Sequence, residues 1–283
     1  MSGGAAPLLE VRDLCVRYGS RTAVDGVGLQ VGRGEIVALI GPNGSGKSSL
    51  LRAIGRMRKP DAGSVRFEGT DIWRVGAREY ARRVAFLPQA PEAPSDLTVE
   101  ELAWRGRFPH RGLLAAASKA DRTAVEGAIA QCGLEALRGR PLATLSGGER
   151  QRAWIGLALA QEPELLLLDE PTTFLDIGHQ QELLGLLTRL NEARGLTIVM
   201  VMHDIAQAAH VADRLVAMQG GRVLVDGAPT EVVTAERIEV LFGASVTVLR
   251  HPESGAPIVV PAAFLRGGQA SRDLDRVTSE DGQ

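Results

Sequence analysis

The chain has 283 residues, 45% of them hydrophobic and 23% charged, which is enough apolar material for one large domain or two small ones and excludes a wholly disordered protein. Its 32 Lys plus Arg against 34 Asp plus Glu leave a net charge of -2, so no global attraction to nucleic acid or to an anionic membrane surface is expected. The two cysteines, Cys15 and Cys132, are too few for a disulfide framework and stand in no ligand-like cluster, so they read as small apolar fillers in a reducing compartment.

Met1 to Pro7 lacks a basic stretch followed by an apolar core, so no secretory signal is expected and the cytoplasm is the default compartment. Leu9, Val11, Val16 and Tyr18 recur among polar positions, and Gly19-Ser20 breaks the run before Leu29-Gln30-Val31, which predicts β structure over the first thirty residues. From Glu35 the pattern changes. Ile36 to Ile40, Leu165 to Leu168 and Thr197 to Val201 are continuous apolar runs, expected of strands buried on both faces of a parallel sheet and far short of the ~20 residues that span a bilayer. The segment from about Thr98 to Cys132 holds no such strand, and Thr98-Val99-Glu100-Glu101 has the form of a capping box, so a helical insertion in an α/β core is predicted. Asp61 to Val65 and Gly220 to Val223 read as tight turns between strands, Val246 to Leu249 and Ile258 to Val260 as short strands, and the polar residues 267–283 as a disordered tail. No motif recurs, so one catalytic unit is expected.

Gly41-Pro42-Asn43-Gly44-Ser45-Gly46-Lys47-Ser48 fits GxxxxGK[ST] directly after a predicted buried strand and before the helix-compatible run Ser49 to Ile54. In such a loop glycines let the backbone wrap a phosphate, amide N–H groups and the helix start supply positive potential, Lys47 reaches the terminal phosphates, and the Ser48 hydroxyl can ligate Mg²⁺. Leu165 to Leu168 end in Asp169-Glu170, two carboxylates at a strand end, where α/β folds place ligands. Asp169 is placed to hold Mg²⁺ through water and Glu170 to orient a water against a γ-phosphate. In Leu145-Ser146-Gly147-Gly148-Glu149-Arg150-Gln151-Arg152, Ser146 reads as an N-cap and Glu149 completes a capping box, which predicts a second helix start with free amides.

With this last element the sequence resembles the ATP-binding subunit of ABC transporters, whose signature is LSGGQ or LSGGE, over roughly Leu8 to Pro261. The resemblance implies one ABC ATPase domain at 8–261: an α/β P-loop NTPase (RecA-like) core with an N-terminal antiparallel β subdomain and an α-helical subdomain inserted at approximately 90–160. It implies that Tyr18 stacks on adenine, that the loop Gly41 to Ser48 with Ser49 binds the phosphates, and that Gln89 is the Q-loop glutamine touching Mg²⁺ or water. It further implies that His203 contacts the γ-phosphate, that Asp176 is the D-loop aspartate, and that Ser146, Gly147, Gly148 and Glu149 meet the nucleotide of a partner subunit. The site is then complete only in a homodimer paired head to tail around two ATP molecules. Such a chain lies on the cytoplasmic face of a membrane and works with transmembrane permease subunits and, for import, an extracytoplasmic solute-binding protein.

Phe174 in Pro171-Thr172-Thr173-Phe174-Leu175-Asp176-Ile177-Gly178-His179-Gln180, and the segment Gly106-Arg107-Phe108-Pro109-His110, resemble the branch that energises import of ferric siderophores, haem and cobalamin. The alternatives are a transporter ATPase for another solute and a soluble ABC ATPase of translation or repair, which usually carries two cassettes or a long coiled-coil insertion that this sequence lacks. A P-loop kinase or GTPase is opposed by the signature and by the lack of a guanine-reading NKxD.

Overall fold

The opening alternation forms a hairpin: β1 (Leu9–Tyr18) and β2 (Arg21–Val31) pair antiparallel across Gly19-Ser20, where Gly19 takes a φ of 58°. The computed structural model describes residues 6–94, 96–111 and 116–264, so the tail at 267–283 and Ser95 lie outside the described residues. The run Ile36 to Ile40 is β3 (Ile36–Ile40), every residue buried, and leads through the glycine loop into α1 (Lys47–Ile54). The predicted turn at Asp61 to Val65 is corrected: β4 (Ala62–Phe67) begins there and pairs with β1 rather than reversing the chain. Gly63 is the reason. At a φ of 79° its backbone lies so close to β1 that a Cβ would fall 2.3 Å from the Asp13 carbonyl oxygen, which is a bulge that sequence turn signals imitate.

Then come β5 (Thr70–Asp71), α2 (Ala77–Arg83) and β6 (Val84–Leu87), followed by α3 (Val99–Arg105), which Thr98 and Glu101 cap reciprocally as predicted. After α4 (Lys119–Gln131), α5 (Gly147–Ala160) and β7 (Leu165–Asp169), the chain runs through α6 (Ile177–Arg194), β8 (Thr197–Val201), α7 (Ile205–Val211) and β9 (Arg214–Gln219). Gly220-Gly221 turns β9 into β10 (Arg222–Gly227), as predicted. The short helices α8 (Pro229–Val232) and α9 (Ala235–Phe242) precede the hairpin of β11 (Val246–Arg250) and β12 (Pro257–Pro261).

A six-stranded sheet in the order β10-β9-β3-β8-β7-β6 is parallel except for the β10 edge, and a four-stranded antiparallel sheet runs β2-β1-β4-β5. Alternate residues of each central strand point to opposite faces. Val37, Leu39, Leu165, Leu167, Val199 and Val201 pack with α1 and the antiparallel sheet, while Ile36, Ala38, Leu166, Leu168, Ile198 and Met200 join the core of the helical side. Among the described residues no helix is long and apolar enough to cross a membrane. Cys132 is buried in the helical-side core, which pushes its thiol up to about 12, and Cys15 is half-buried.

The Gly106 to His110 segment ties α3 to α4 and α5. A Cβ at Gly106 would fall 2.1 Å from the Leu157 carbonyl oxygen, so α3 and α5 touch backbone to backbone there. Arg107 is buried and donates to Asp121 (3.0 Å), the Ala160 carbonyl (2.7 Å) and Glu162 (2.7 Å). Ser118, whose hydroxyl donates to Asp121 (2.7 Å), and then Arg107 hold the Asp121 carboxyl down at about 2. A depressed carboxylate stabilises the fold fully above its unfolded pKa and loses that contribution as pH falls through the folded one. Asp121→Asn should therefore cost about 2 kcal/mol at neutral pH, at about 1.4 kcal/mol for each pH unit of depression. Thermal denaturation against pH checks it: the gap from wild type should close as pH falls from about 3.8 to about 2, and a constant gap would show that Asp121 acts by packing alone.

Candidate functional site

Four adjacent parallel strands, β3, β8, β7 and β6, end on one edge of the sheet, and each end delivers a predicted residue. β3 gives the glycine loop, β7 gives Asp169 and Glu170, β8 is followed at the second residue by His203, and β6 at the second residue by Gln89. This edge is where open α/β sheets bind ligands.

The loop glycines are there for space as well as conformation. At Gly41 and Gly46, with φ of 140° and 104°, a Cβ would lie 2.1 Å from the Met218 carbonyl oxygen and 2.2 Å from that of Ala23. Lys47 is buried and donates from Nζ to the carbonyls of Gly41 (2.8 Å) and Pro42 (3.0 Å). Burial holds its pKa below the ordinary lysine value, with Glu170 and Asp169 acting in opposition. A buried ammonium solvated mainly by carbonyl oxygens suits an incoming anion. The Ser48 hydroxyl donates to Asp169 Oδ1 at 2.6 Å, and Asp169 is 1% exposed. These oxygens fit a hard cation such as Mg²⁺, which keeps several waters and takes further ligands from phosphate; among the described residues no group of three His, Cys, Asp or Glu forms a closed metal cage.

Glu170 is the meeting point. Its carboxylate accepts from Gln89 Nε2 at 2.5 Å, pairs with His203 Nε2 at 2.6 Å and accepts from the Thr173 hydroxyl at 3.3 Å. Its φ of 54° is a left-handed conformation rare for a residue with a side chain, and strain of this kind collects at functional sites. Gln89 thus meets Glu170 rather than the Ser48–Asp169 pair.

Tyr18 stands at the end of β1, 43% exposed rather than in the core, with the Arg58 guanidinium 5.2 Å from its ring centre. It borders a cleft of about 330 Å³ that includes Asn43, Gly44, Lys47, Ser48 and Ser49. Arg21 and Arg52 also line this cleft and were not singled out from sequence. Arg21 donates to the Gly44 carbonyl (3.2 Å), and Arg52 lies 3.5 Å from Asp169. The available signal for Arg52 was its place four residues after Ser48 on α1, hence on the same helix face. A larger cavity of about 760 Å³ between α6, α7 and the β11–β12 hairpin contains none of the phosphate-loop residues.

The signature residues are elsewhere. Ser146 caps α5, its hydroxyl accepting from the Glu149 N–H (3.2 Å) while Glu149 accepts from the Ser146 N–H (2.8 Å), which keeps the Glu149 carboxyl below the usual range. Asp176 caps α6 through the His179 N–H (2.9 Å). Among the described residues no hydrogen bond joins Ser146, Gly147, Gly148, Glu149 or Asp176 to the phosphate loop, and none of the five lines its cleft.

Comparison with known proteins gives the family. The family model described as ABC transporter matches residues 24–173. The ferric enterobactin transport ATP-binding protein FepC of Escherichia coli (strain K12) is 44% identical over 253 residues, covering 89% of this chain and 93% of that protein. The iron(3+)-hydroxamate import ATP-binding protein FhuC of Bacillus subtilis (strain 168) is 41% identical over 258 residues, covering 91% and 96%. Among solved structures, a metal-chelate type ABC transporter in an inward-facing conformation matches with a TM-score of 0.79 at 27% identity, over 90% of this chain and 97% of that one. The dimeric structure of MJ0796, a bacterial ABC transporter cassette, matches with a TM-score of 0.69 at 29% identity, over 78% and 98%. A phosphate loop and paired carboxylates on one sheet edge, a capped signature turn apart from them, and relatives matched over nearly their whole length place this chain in the ABC transporter family.

Proposed function

We propose that this chain is the ATP-hydrolysing subunit of an importer of metal chelates of the ferric siderophore, haem or cobalamin type, bound peripherally at the cytoplasmic face of the membrane to separate permease subunits. The observation that carries it is the convergence of Gln89 and His203 on Glu170, beside the Ser48–Asp169 pair and the Lys47 loop. The chelate class comes from the relatives, whose names specify ferric enterobactin and iron(3+)-hydroxamate.

Tyr18 stacks on the adenine, and Gly41, Pro42, Asn43, Gly44, Ser45, Gly46, Lys47, Ser48 and Ser49 hold the phosphates through amides, ammonium and hydroxyls. Ser48 and Asp169 would hold Mg²⁺, joined by Gln89 when it lets go of Glu170, and the ion would neutralise phosphate charge there. Glu170 orients the attacking water and accepts its proton while His203 contacts the γ-phosphate. Ser146, Gly147, Gly148, Glu149 and Asp176 face the nucleotide of the second subunit, so two chains close head to tail on two ATP molecules. The full importer adds an extracytoplasmic solute-binding protein.

Reconstitution with a co-encoded permease in liposomes tests this. ATP-dependent uptake of a radiolabelled ferric siderophore or haem is expected, and an ATPase that neither co-purifies with permease nor drives uptake of any chelate would contradict it. Gln89 opens a turn-rich stretch, Ala90 to Asp96, that leads to Thr98 at the start of α3. Substitutions at Glu92 or Asp96 should lower solute-stimulated ATPase and uptake severalfold while ATP binding to the isolated subunit stays unchanged. Transport at the wild-type rate would make the stretch a passive linker.

A further inference from the structure

The first turn of α6 holds a polar link that connects two parts of the site and has no direct part in the chemistry. Gln180 donates from Nε2 to the carbonyls of Leu175 (3.0 Å) and Thr172 (3.3 Å), at either end of the short stretch that contains Phe174. Those two acceptors fix the orientation of its amide, because a carbonyl can only accept. Gln180 Oε1 therefore faces outward, and Gln207 Nε2 donates to it at 2.6 Å. Gln207 sits on α7, the helix capped by Asp204 immediately after His203. Gln207 Oε1 makes no hydrogen bond to a described protein group, so the bond to Gln180 is what holds the Gln207 amide in place.

Two neighbouring features give the link something to hold. Phe174 is 89% exposed with a φ of 67°, a left-handed conformation that a bulky residue keeps only when its surroundings impose it. The adjacent His179 approaches Asp176 Oδ1 with Nδ1 (2.8 Å) and lies under Gly148, where a Cβ would fall 2.0 Å from its Cδ2. One helical turn thus touches the loop before Asp176, the signature turn and the helix after His203.

We infer that Gln180 and Gln207 are positioning residues, which clamp the loop from Thr172 to Leu175 to the helix that follows His203, so that the loop bearing Asp176 and the γ-phosphate contact shift as one body. This rests on the ATPase function proposed above. A clamp of this kind acts on the closed, hydrolysing state and leaves the phosphate loop alone.

The experiment uses the full chain with Gln180→Met, Gln207→Met and both together, since methionine keeps the length of the side chain and removes the amide. Steady-state ATPase, affinity for a fluorescent ATP analogue and thermal midpoint are measured on each. Each single variant should lose about tenfold in kcat with analogue affinity within about twofold of wild type, and the double variant should lose no more than either, as expected of two halves of one link. Wild-type kcat in the single variants, a kcat loss matched by lost affinity or stability, or a double loss equal to the product of the singles would each overturn the clamp. Gln207→Met leaves the loop carbonyls with their donor and keeps the test open if Gln180→Met does not fold. A wild-type chain without ATPase activity would remove the parent function, whereas an active wild type with equally active variants would remove the clamp alone.

Discussion

Glu170→Gln should lower ATP turnover about 10²–10⁴-fold, the range for loss of a positioned general base, while ATP still binds. The substitution keeps the side chain's size and its contact with Gln89, but it removes the charge that pairs with His203 Nε2 at 2.6 Å and the basicity needed to take a proton from water. Lys47, Ser48 and the loop amides, the proposed phosphate contacts, are untouched. In the proposed arrangement, losing a carboxylate close to the γ-phosphate also relieves like-charge repulsion, so the ATP-bound dimer should outlast that of the wild type. Single-turnover ATPase with size-exclusion chromatography in Mg-ATP reads both effects. Turnover within a few-fold of wild type would show that Glu170 only braces Gln89 and His203.

Lys47→Ala and Ser146→Arg should both abolish steady-state hydrolysis, by different routes. Lys47 is the buried cation whose Nζ lies against the loop carbonyls, so its loss should weaken ATP binding to the isolated chain and slow turnover about 10²–10³-fold, as when a transition-state donor is deleted. Ser146 caps a helix outside that cleft, so arginine there should leave binding to one chain intact and block closure against the partner. Titration with a fluorescent ATP analogue separates the two. Equal loss of binding in both would place Ser146 in the same chain's site.

The parts legible in the sequence were those whose signal is local. The glycine loop, the carboxylate pair after four leucines and the Ser146 and Thr98 capping boxes each fit within ten residues, and each has the predicted local form. Long-range pairings were not legible. Gly63 signals a turn by composition, and only the nearness of β1 makes it a bulge. Arg21 joins the cleft by folding over Gly44, and Gln180 meets Gln207 across 27 positions, contacts with no periodicity to betray them. The helices α8 and α9 escaped for another reason. At four and eight residues they are too short to be stable alone, and they persist because Val232, Ile238 and Leu241 are buried against the rest of the fold.

Head-to-tail pairing is tested most directly by mixing the two inactive variants. In a Lys47→Ala/Ser146→Arg heterodimer, one site combines the intact phosphate loop of one chain with the intact signature turn of the other, and the second site carries both lesions. Random pairing of equal amounts makes half the dimers mixed, each with one of two sites whole, so ATPase should recover to about a quarter of the wild-type rate. A mixture no more active than either variant alone would contradict a site shared between two chains.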